Sequence, residues 1–343
     1  MGRKIKWLSA LLAASIVFAA VPLAACGNTT DEGQEEEKIL SMYVAYGDPE
    51  KIAAEFEKDT GIKVELITMS SGEVITRLRA EAANPQTDVW FGGGSDAFIQ
   101  AKDEGIIQKY TSPNAAKVDS AFKDADGYWT GVSLVVVGLV VNNNRLASKG
   151  LDTPETWADL ADPQYKDEIS ASNPVKSGTA YTTVSGLLQS LGESAGWEFL
   201  DKMYANIPYL EQSGSGPVTK ATQGEFAIGI APDPHNSPRE NPDANLACVF
   251  PSDGVLAWPS PVAIVTGAKH PGNAKKFVDW CLSDRGQIVL MEASPRVPVT
   301  DVTPVEGVPS LSELNLIPYD VLKWGNERTR VLEEFARRYP QYQ

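Results

Sequence analysis

Short apolar runs alternate with amphipathic segments along the chain from residue 39 onward. The apolar runs, rich in β-branched and aromatic residues, predict strands at 39–46, 63–68 and 88–91. The amphipathic segments predict helices at 49–60 and 73–83, the first ended by Gly61 and the second by Asn84-Pro85. A β-α-β-α-β order requires a parallel sheet with helices on both faces. The pattern therefore predicts an α/β fold in which ligands collect at the carboxyl ends of the strands.

Two further apolar runs, at 132–142 and 260–266, are candidates for strands that cross between domains. The first is about twice the length of an ordinary strand and is interrupted by Gly138. Helical patterns follow the second run, at 272–282, 284–292 and 319–338. We therefore predict two lobes joined by two hinge strands. Lobe 1 is discontinuous and comprises 39–136 and 262–343, and lobe 2 comprises 137–261.

The first 25 residues have the features of an export signal. Arg3, Lys4 and Lys6 precede an apolar run at 7–23, which ends in Leu23-Ala24-Ala25-Cys26. These four residues resemble the lipobox of bacterial lipoproteins, which implies cleavage before Cys26 and attachment of lipid to its thiol. An uncleaved anchor is the alternative, and the small residues before Cys26 disfavour it. We therefore expect a signal peptide at 1–25, a lipidated cysteine with a flexible acidic tether at 26–38, and an extracytoplasmic protein anchored to the cell membrane.

The charge balance narrows the range of partners. The 343 residues include 30 Lys and Arg against 45 Asp and Glu, for a formal net charge of −15. The predicted signal peptide carries three positive charges and no negative ones, so its removal leaves a net charge of −18. Duplex nucleic acid and anionic membrane surfaces are bound by basic surfaces. We therefore expect no nucleic-acid partner, and contact with the bilayer through Cys26 only.

Cysteine and histidine are too sparse for a structural metal site or a disulfide framework. Cys248 lies in a strand-like run and Cys281 in a helical one, which favours two buried thiols, with a single disulfide as the open alternative. No C-x-x-C spacing occurs, and the histidines are limited to His235 and His270. Structural zinc is therefore not expected.

Several segments resemble one transport family. They are FEKDTGIKVELI, ANPQTDVWFGGGSDAF, GYWTG followed by GLVVNNNRL, TWADLADPQYK, NPVKSGTAYT, QSGSGP and NAKKFVDWCLSDRGQ. Together they resemble type II extracellular solute-binding proteins of ABC importers, and within these the ferric-binding-like branch, which includes binders of hexose phosphates, 2-aminoethylphosphonate and phosphoglycerate. The resemblance implies a two-lobed type II periplasmic-binding-protein fold, each lobe a mixed, mostly parallel sheet flanked by helices. It also implies a monomer that closes on a small ligand and delivers it to a membrane permease, with no cofactor.

Small hydroxyl and glycine residues stand at four predicted helix starts. The candidate ligand-binding residues among them are Ser71, Gly72, Gly94, Ser95, Ser177, Gly178, Thr179, Ser213 and Ser215. Helix N-termini expose unpaired N–H groups and carry about half a positive charge, so several converging on one cleft can bind an oxyanion. Plain N-capping is the alternative for each. It is favoured at Ser70, because Ser70-x-x-Glu73 forms a capping box.

There are four more candidates. Alignment with the resembling family places His235 and Trp258 where its members carry ligand-binding residues, and Asp233 and Arg296 are chosen for their charge. Iron-binding members have adjacent tyrosines after the strand that follows a Gly-Glu dipeptide, whereas here Gly224-Glu225 leads to Asp233 and His235. These two side chains fit an ammonium group and fit Fe(III) poorly. Trp258 favours stacking or a cation–π contact, with a core position as the alternative, and Arg296 is a candidate partner for an acidic group. Exposure in a loop is the alternative for His235.

The leading hypothesis is an importer receptor for a small organic anion, with a phosphate ester or phosphonate as the expected class. A receptor that reports the same ligand to a membrane histidine kinase is the alternative, and a ferric iron receptor is disfavoured by the missing tyrosine pair. The chain has no G-x-S-x-G motif, no Gly-Lys-Ser/Thr phosphate loop and no His-rich metal motif. We therefore expect no enzymatic activity.

Overall fold

The first strands and helices form where the apolar pattern places them. The computed structural model describes residues 37–342, and its first elements are β1 (Ile39–Val44), α1 (Pro49–Thr60), β2 (Lys63–Thr68), α2 (Ser71–Glu81) and β3 (Val89–Phe91). β1 pairs in parallel with β2 on one side and with β3 on the other. The predicted parallel arrangement is confirmed. The signal peptide, Cys26 and nearly all of the tether lie outside the described residues.

Local capping explains why α1 has these limits. The Asp48 side chain accepts a hydrogen bond from the Lys51 N–H at 3.1 Å, and Pro49 occupies the first turn, where its missing N–H costs nothing. Gly61 ends the helix with φ 70°, a left-handed conformation that glycine adopts without steric strain. The two ends are therefore determined by residues adjacent in the chain.

The remaining elements complete a mixed α/β fold. They are α3 (Ser95–Asp103), β4 (Ile107–Gln108), β5 (Thr130–Asn142), α4 (Asn143–Lys149), β6 (Ile169–Ser172), α5 (Gly178–Leu191), α6 (Glu193–Ala205), β7 (Leu210–Glu211), α7 (Gly216–Thr222), β8 (Ile228–Pro232), α8 (Ser237–Glu240), β9 (Leu246–Val249), β10 (Val255–Val265), α9 (Pro271–Cys281), α10 (Asp284–Ala293), β11 (Val297–Pro298), β12 (Leu316–Ile317), α11 (Val321–Asn326) and α12 (Arg328–Arg338). The main strand order is β2-β1-β3-β10-β5-β8-β6-β7.

β5 and β10 connect the two halves of this sheet. All residues of β5 are buried; its first half pairs with β10 and β11, and its second half pairs with β8 and β9. β10 also pairs with β3. Its pairing with β5 shifts register between Ser260 and Pro261. The two long antiparallel strands lie where crossing strands were predicted.

The hydrophobic core changes partners within β5. Val132, Leu134 and Val136 belong to a cluster with β1 and α9, whereas Val137 and Leu139 belong to a cluster with α5 and α6. The second cluster also includes Trp324, Val331, Phe335 and Tyr339, from the last two helices. The division into lobes at 136/137 and 261/262 stays a prediction, and this packing favours assigning α11 and α12 to the second lobe.

The single helix predicted at 319–338 is wrong, because two helices occupy this segment. Asp320 caps α11 by accepting a hydrogen bond from the Lys323 N–H at 2.9 Å, and α11 ends before Glu327. Gly325 and Asn326 are weak helix formers at the break. Just before them, the Trp324 carbonyl accepts a hydrogen bond from the Tyr181 hydroxyl of α5. Packing against α5 therefore divides a segment that reads as one helix.

The two described cysteines are free thiols. Cys281 is buried in α9, and Cys248 is half-buried in β9. Burial raises the pKa of Cys248 to about 12 and also raises the pKa of Cys281, which makes both thiols poor nucleophiles. The disulfide alternative is therefore wrong for this structure. Within residues 37–342, no helix combines the length and the hydrophobicity needed to cross a membrane.

Candidate functional site

The four predicted helix starts are confirmed, and their capping differs. α2 begins with the full capping box of Ser70 and Glu73. α5 begins at Gly178, after Ser177 accepts a hydrogen bond from the Ala180 N–H at 3.2 Å. α3 follows Gly94 and α7 follows Ser215, and neither has a side-chain cap. Capping therefore occupies the Ser177 hydroxyl as an acceptor and leaves the starts of α3 and α7 open.

A cleft of about 280 Å³ brings two of these helix starts together. Five of the predicted residues line it: Gly94, Ser95, Gly178, Thr179 and Trp258. α3 follows β3 in the first half of the sheet, α5 follows β6 in the second half, and Trp258 lies on β10 between them. The cleft therefore has walls from both halves of the sheet, which is the arrangement that lobe closure requires.

The segment before α7 lies against the start of α5. A Cβ atom on Gly214 would lie 3.2 Å from Ser177 Oγ and 3.9 Å from Thr179 Oγ1. The hydroxyls of Ser213 and Ser215 are 3.3 Å apart, next to this close approach. Gly214 therefore approaches the start of α5, whereas Ser213 and Ser215 are not among the residues that line the cleft.

Ser71 supports the loop before α3. Its hydroxyl accepts a hydrogen bond from the Gly94 N–H at 3.2 Å. Gly93 has φ 107°, and a Cβ atom there would lie 2.1 Å from Ser71 Oγ, so only glycine fits this approach. Ser71 thus occupies one of the N–H groups that the sequence offered to an anion. The prediction that Ser71 and Gly72 bind ligand remains untested.

Asp233, His235 and Arg296 contact the hinge region. Asp233 Oδ2 lies 3.5 Å from Arg296 Nε, and Asp233 Oδ1 accepts a hydrogen bond from the Val136 N–H at 3.1 Å. The Arg296 guanidinium also lies over the Tyr46 ring, 4.8 Å from its centre. His235 Nε2 is 2.8 Å from the Pro295 carbonyl oxygen. Asp233 and Arg296, which were expected to meet opposite ends of a ligand, are here partners of each other.

Burial is the largest influence on the pKa values of Asp233 and His235. It raises the pKa of Asp233 to about 6, and the Arg296 charge only partly offsets this. Burial also lowers the pKa of His235, although its contact with Pro295 acts in the opposite direction. Both environments therefore favour the uncharged form of the side chain.

Sequence reasoning missed Arg328 and Asp96, which supply the charge of the cleft. The Arg328 guanidinium lies 4.4 Å from the centre of the Tyr181 ring, and among residues 37–342 it makes no ion pair or side-chain hydrogen bond. Asp96 lies in the first turn of α3, and its carboxylate likewise has no such partner within that range. No local sequence signal distinguishes Arg328 from Arg330 as a ligand-binding residue. Arg328 reaches the cleft only because of the position that α12 takes in the fold.

Tyr319 lies near both charges. Its hydroxyl is 2.8 Å from Ser185 Oγ, and burial raises its pKa. Weaker electrostatic effects on the same pKa come from Asp96, which raises it, and from Arg328, which lowers it. The carboxylate and the guanidinium are thus close enough to the same phenol to act on it in opposite directions.

No metal cluster accompanies the cleft in the part of the chain that the structure describes. Between 37 and 342, no three His, Cys, Asp or Glu side chains are placed to hold one ion. β8 leads directly into Asp233, Pro234 and His235, and no tyrosine follows it at this point.

Comparisons with known proteins agree with this fold. The sequence matches the family described as bacterial extracellular solute-binding protein over residues 84–324. An uncharacterised protein of Haemophilus influenzae is 30% identical over 95% of this chain and 96% of its own length. A candidate 2-aminoethylphosphonate-binding periplasmic protein of Salmonella typhimurium is 27% identical over 73% of each chain.

A solved structure extends the similarity to three dimensions. The periplasmic binding protein AfuA from Actinobacillus pleuropneumoniae, with fructose-6-phosphate bound, superposes with a TM-score of 0.73 and 31% identity. The match covers 87% of this chain and 98% of AfuA. The chain therefore belongs to the bacterial extracellular solute-binding proteins, the two-lobed substrate receptors of ABC importers. Members of this family bind substrates for transport and are not enzymes, so the fold class and the absence of an enzymatic role are confirmed.

Proposed function

We propose that this protein captures a small organic anion, a phosphonate or a phosphate ester, in the cleft between its lobes and delivers it to an ABC permease. The observation that carries the proposal is Arg328, a cation without an ion-pair partner in the described chain, placed in the same cleft as the start of α5. Arginine forms charge-assisted, often bidentate hydrogen bonds with phosphate oxygens.

The start of α5 complements Arg328. Among residues 37–342, the N–H groups of Gly178 and Thr179 begin the helix without a capping partner, since Ser177 caps Ala180. No acidic residue lies in the first turn of α5. A Cβ atom on Gly178 would meet nothing within 4 Å, so an oxyanion can approach this backbone closely. The helix end, the Thr179 hydroxyl and the guanidinium together can replace the hydration of a dianionic head group.

Local groups must carry the binding, because the net charge opposes it. The sequence without its predicted signal peptide has a charge of −18, which repels anions at long range. Salt screens that repulsion beyond about 8 Å. The Salmonella relative is named for a phosphonate, and AfuA was solved with a sugar phosphate. Both ligands carry the phosphorus oxyanion proposed here.

Ligand binding is proposed to close the lobes about β5 and β10. A ligand that touches α3 and α5 at once makes both sets of contacts only when the lobes are closed, so it shifts the open–closed equilibrium. We further propose that Cys26 is lipidated and holds the protein at the outer face of the cell membrane, on the basis of the lipobox residues.

The test is isothermal titration and thermal shift of the purified protein against phosphonates, phosphate esters, sulfonates, carboxylates and neutral analogues. A phosphonate or phosphate ester is expected to bind, and Arg328→Gln is expected to weaken it about 10- to 100-fold. This range corresponds to the ~1.5–3 kcal/mol of a hydrogen bond to a charged group.

Arg330→Gln is the matched control. Arg330 lies on the same helix but pairs with Glu193 and Glu327, away from the cleft. The Arg330→Gln variant should therefore bind the ligand as tightly as the unmodified protein does. Stabilisation by neutral or cationic compounds alone, or equal binding by the Arg328 and Arg330 variants, would refute the proposal.

A further inference from the structure

We propose that the ligand carries a protonated amine at the end opposite its phosphorus oxyanion, and that Asp96 recognises this amine. The proposal rests on the function proposed above and specifies the class of ligand. It begins from the dipolar character of the cleft, which holds the Asp96 carboxylate and the Arg328 guanidinium, each without an ion-pair partner among residues 37–342. A ligand with one anionic and one cationic end offers a partner to both.

The two helix starts in the cleft are electrostatically different. The first turn of α3 contains Asp96, whereas the first turn of α5 contains no acidic residue. The Asp96 carboxylate lies over the start of its own helix: a Cβ atom added to Gly94 would lie 2.4 Å from Asp96 Oδ1. A carboxylate in this position offsets the positive end of the helix and repels a second anion. The oxyanion is therefore assigned to α5 and Arg328, and the α3 side is left for a cation.

One N–H group before α3 is already occupied. The Gly94 N–H donates to Ser71 Oγ at 3.2 Å and is not available to an anion. The sequence offered both helix starts to an oxyanion and favoured Ser177-Gly178-Thr179 at the start of α5. The first-turn carboxylate of Asp96 opposes an anion at α3, whereas α5 has no acidic residue in its first turn, so the oxyanion is assigned to α5.

Trp258 supplies a second contact of the required kind. Its half-buried indole lines the cleft on β10, between the starts of α3 and α5. A protonated amine over an indole face gains a cation–π interaction, which is stronger when water is excluded. Asp233, the carboxylate that the sequence offered to an ammonium group, is paired with Arg296 at 3.5 Å. Asp96 is thus the carboxylate of the cleft that remains for the ligand.

The experiment compares ligand pairs that differ only in the amine. 2-Aminoethylphosphonate is matched with propylphosphonate, and 3-aminopropylphosphonate with butylphosphonate, so that each pair has the same chain length. Dissociation constants are measured by titration for the unmodified protein, Asp96→Asn and Asp103→Asn. Asp103 is exposed at the other end of α3 and does not line the cleft.

We expect the unmodified protein and Asp103→Asn to bind at least one amino ligand about tenfold or more tightly than its alkyl partner. Asp96→Asn should remove this preference by weakening the amino ligand and leaving the alkyl ligand unchanged or tighter. Equal binding of amino and alkyl ligands by the unmodified protein would overturn the inference and leave the proposed function intact. So would an equal loss of both ligands in Asp96→Asn, which would show that Asp96 acts by positioning Arg328 or the helix. Failure of the protein to bind any of the four phosphonates or any phosphate ester would instead refute the proposed function.

Discussion

Replacement of Asp233 by asparagine tests the electrostatics of the hinge most directly. The carboxylate lies at the end of β8, with Arg296 at 3.5 Å and the Val136 N–H at 3.1 Å, and its side chain is 12% exposed. Burial raises its pKa from the ordinary value of 3.8 to about 6, and Arg296 compensates only in part. Asparagine retains the shape and a carbonyl acceptor for Val136 but cannot ionise.

The size and the sign of the effect follow from this pKa. A raised pKa means that the native state holds the proton more tightly than the unfolded chain does. Protonated Asp233 therefore adds stability that is fully present below about pH 4 and is lost as the pH rises through about 6. The difference of about two pKa units corresponds to about 3 kcal/mol at 1.36 kcal/mol per unit. Asp233→Asn lacks this dependence.

The assay is urea unfolding of both proteins at several pH values between 4 and 7. The free energy of unfolding of Asp233→Asn, relative to the unmodified protein, should increase by about 3 kcal/mol over this range, with most of the change between pH 4 and 6. The attraction to Arg296 acts on ionised Asp233 and is already contained in the pKa of about 6, so it adds no further slope. Arg296→Gln should increase the pH dependence, because it removes the charge that lowers the pKa of Asp233. A difference that does not vary with pH, or that varies with the opposite sign, would refute the reasoning.

Two further predictions concern packing and anchoring. Gly286→Ala should destabilise the protein by about 2 kcal/mol or more, since the added Cβ would lie 1.8 Å from the Trp280 carbonyl oxygen; thermal melting measures this, with Gly72→Ala as a control in open space. Equal melting temperatures for the two variants would contradict the packing argument. Cys26→Ser should move the protein from the membrane fraction of expressing cells to the soluble extracytoplasmic fraction, as followed by immunoblotting. Retention in the membrane fraction would exclude a lipid on Cys26 as the anchor.

Local sequence determined most of the elements and the helix starts. Asp48, Pro49 and Gly61 define α1 through contacts within a few residues, and Ser70 with Glu73 does the same for α2. The β-branched run of β5 is recognisable because a strand that is buried on both faces needs apolar residues at nearly every position. Such signals are readable because the partners that satisfy them lie close together in the chain.

Tertiary structure decided which of these residues face a ligand. Thr179 and Trp258 could be proposed from their sequence context, whereas Arg328 and Asp96 could not, because an unpaired charge is identified only once its neighbours in space are known. Asp233 shows the converse: its local context offered a free carboxylate, and the fold supplied Arg296 as its partner. Residues close together in the chain thus define the α/β elements and the helix starts, whereas the distribution of charge across the cleft depends on packing between segments far apart in the chain.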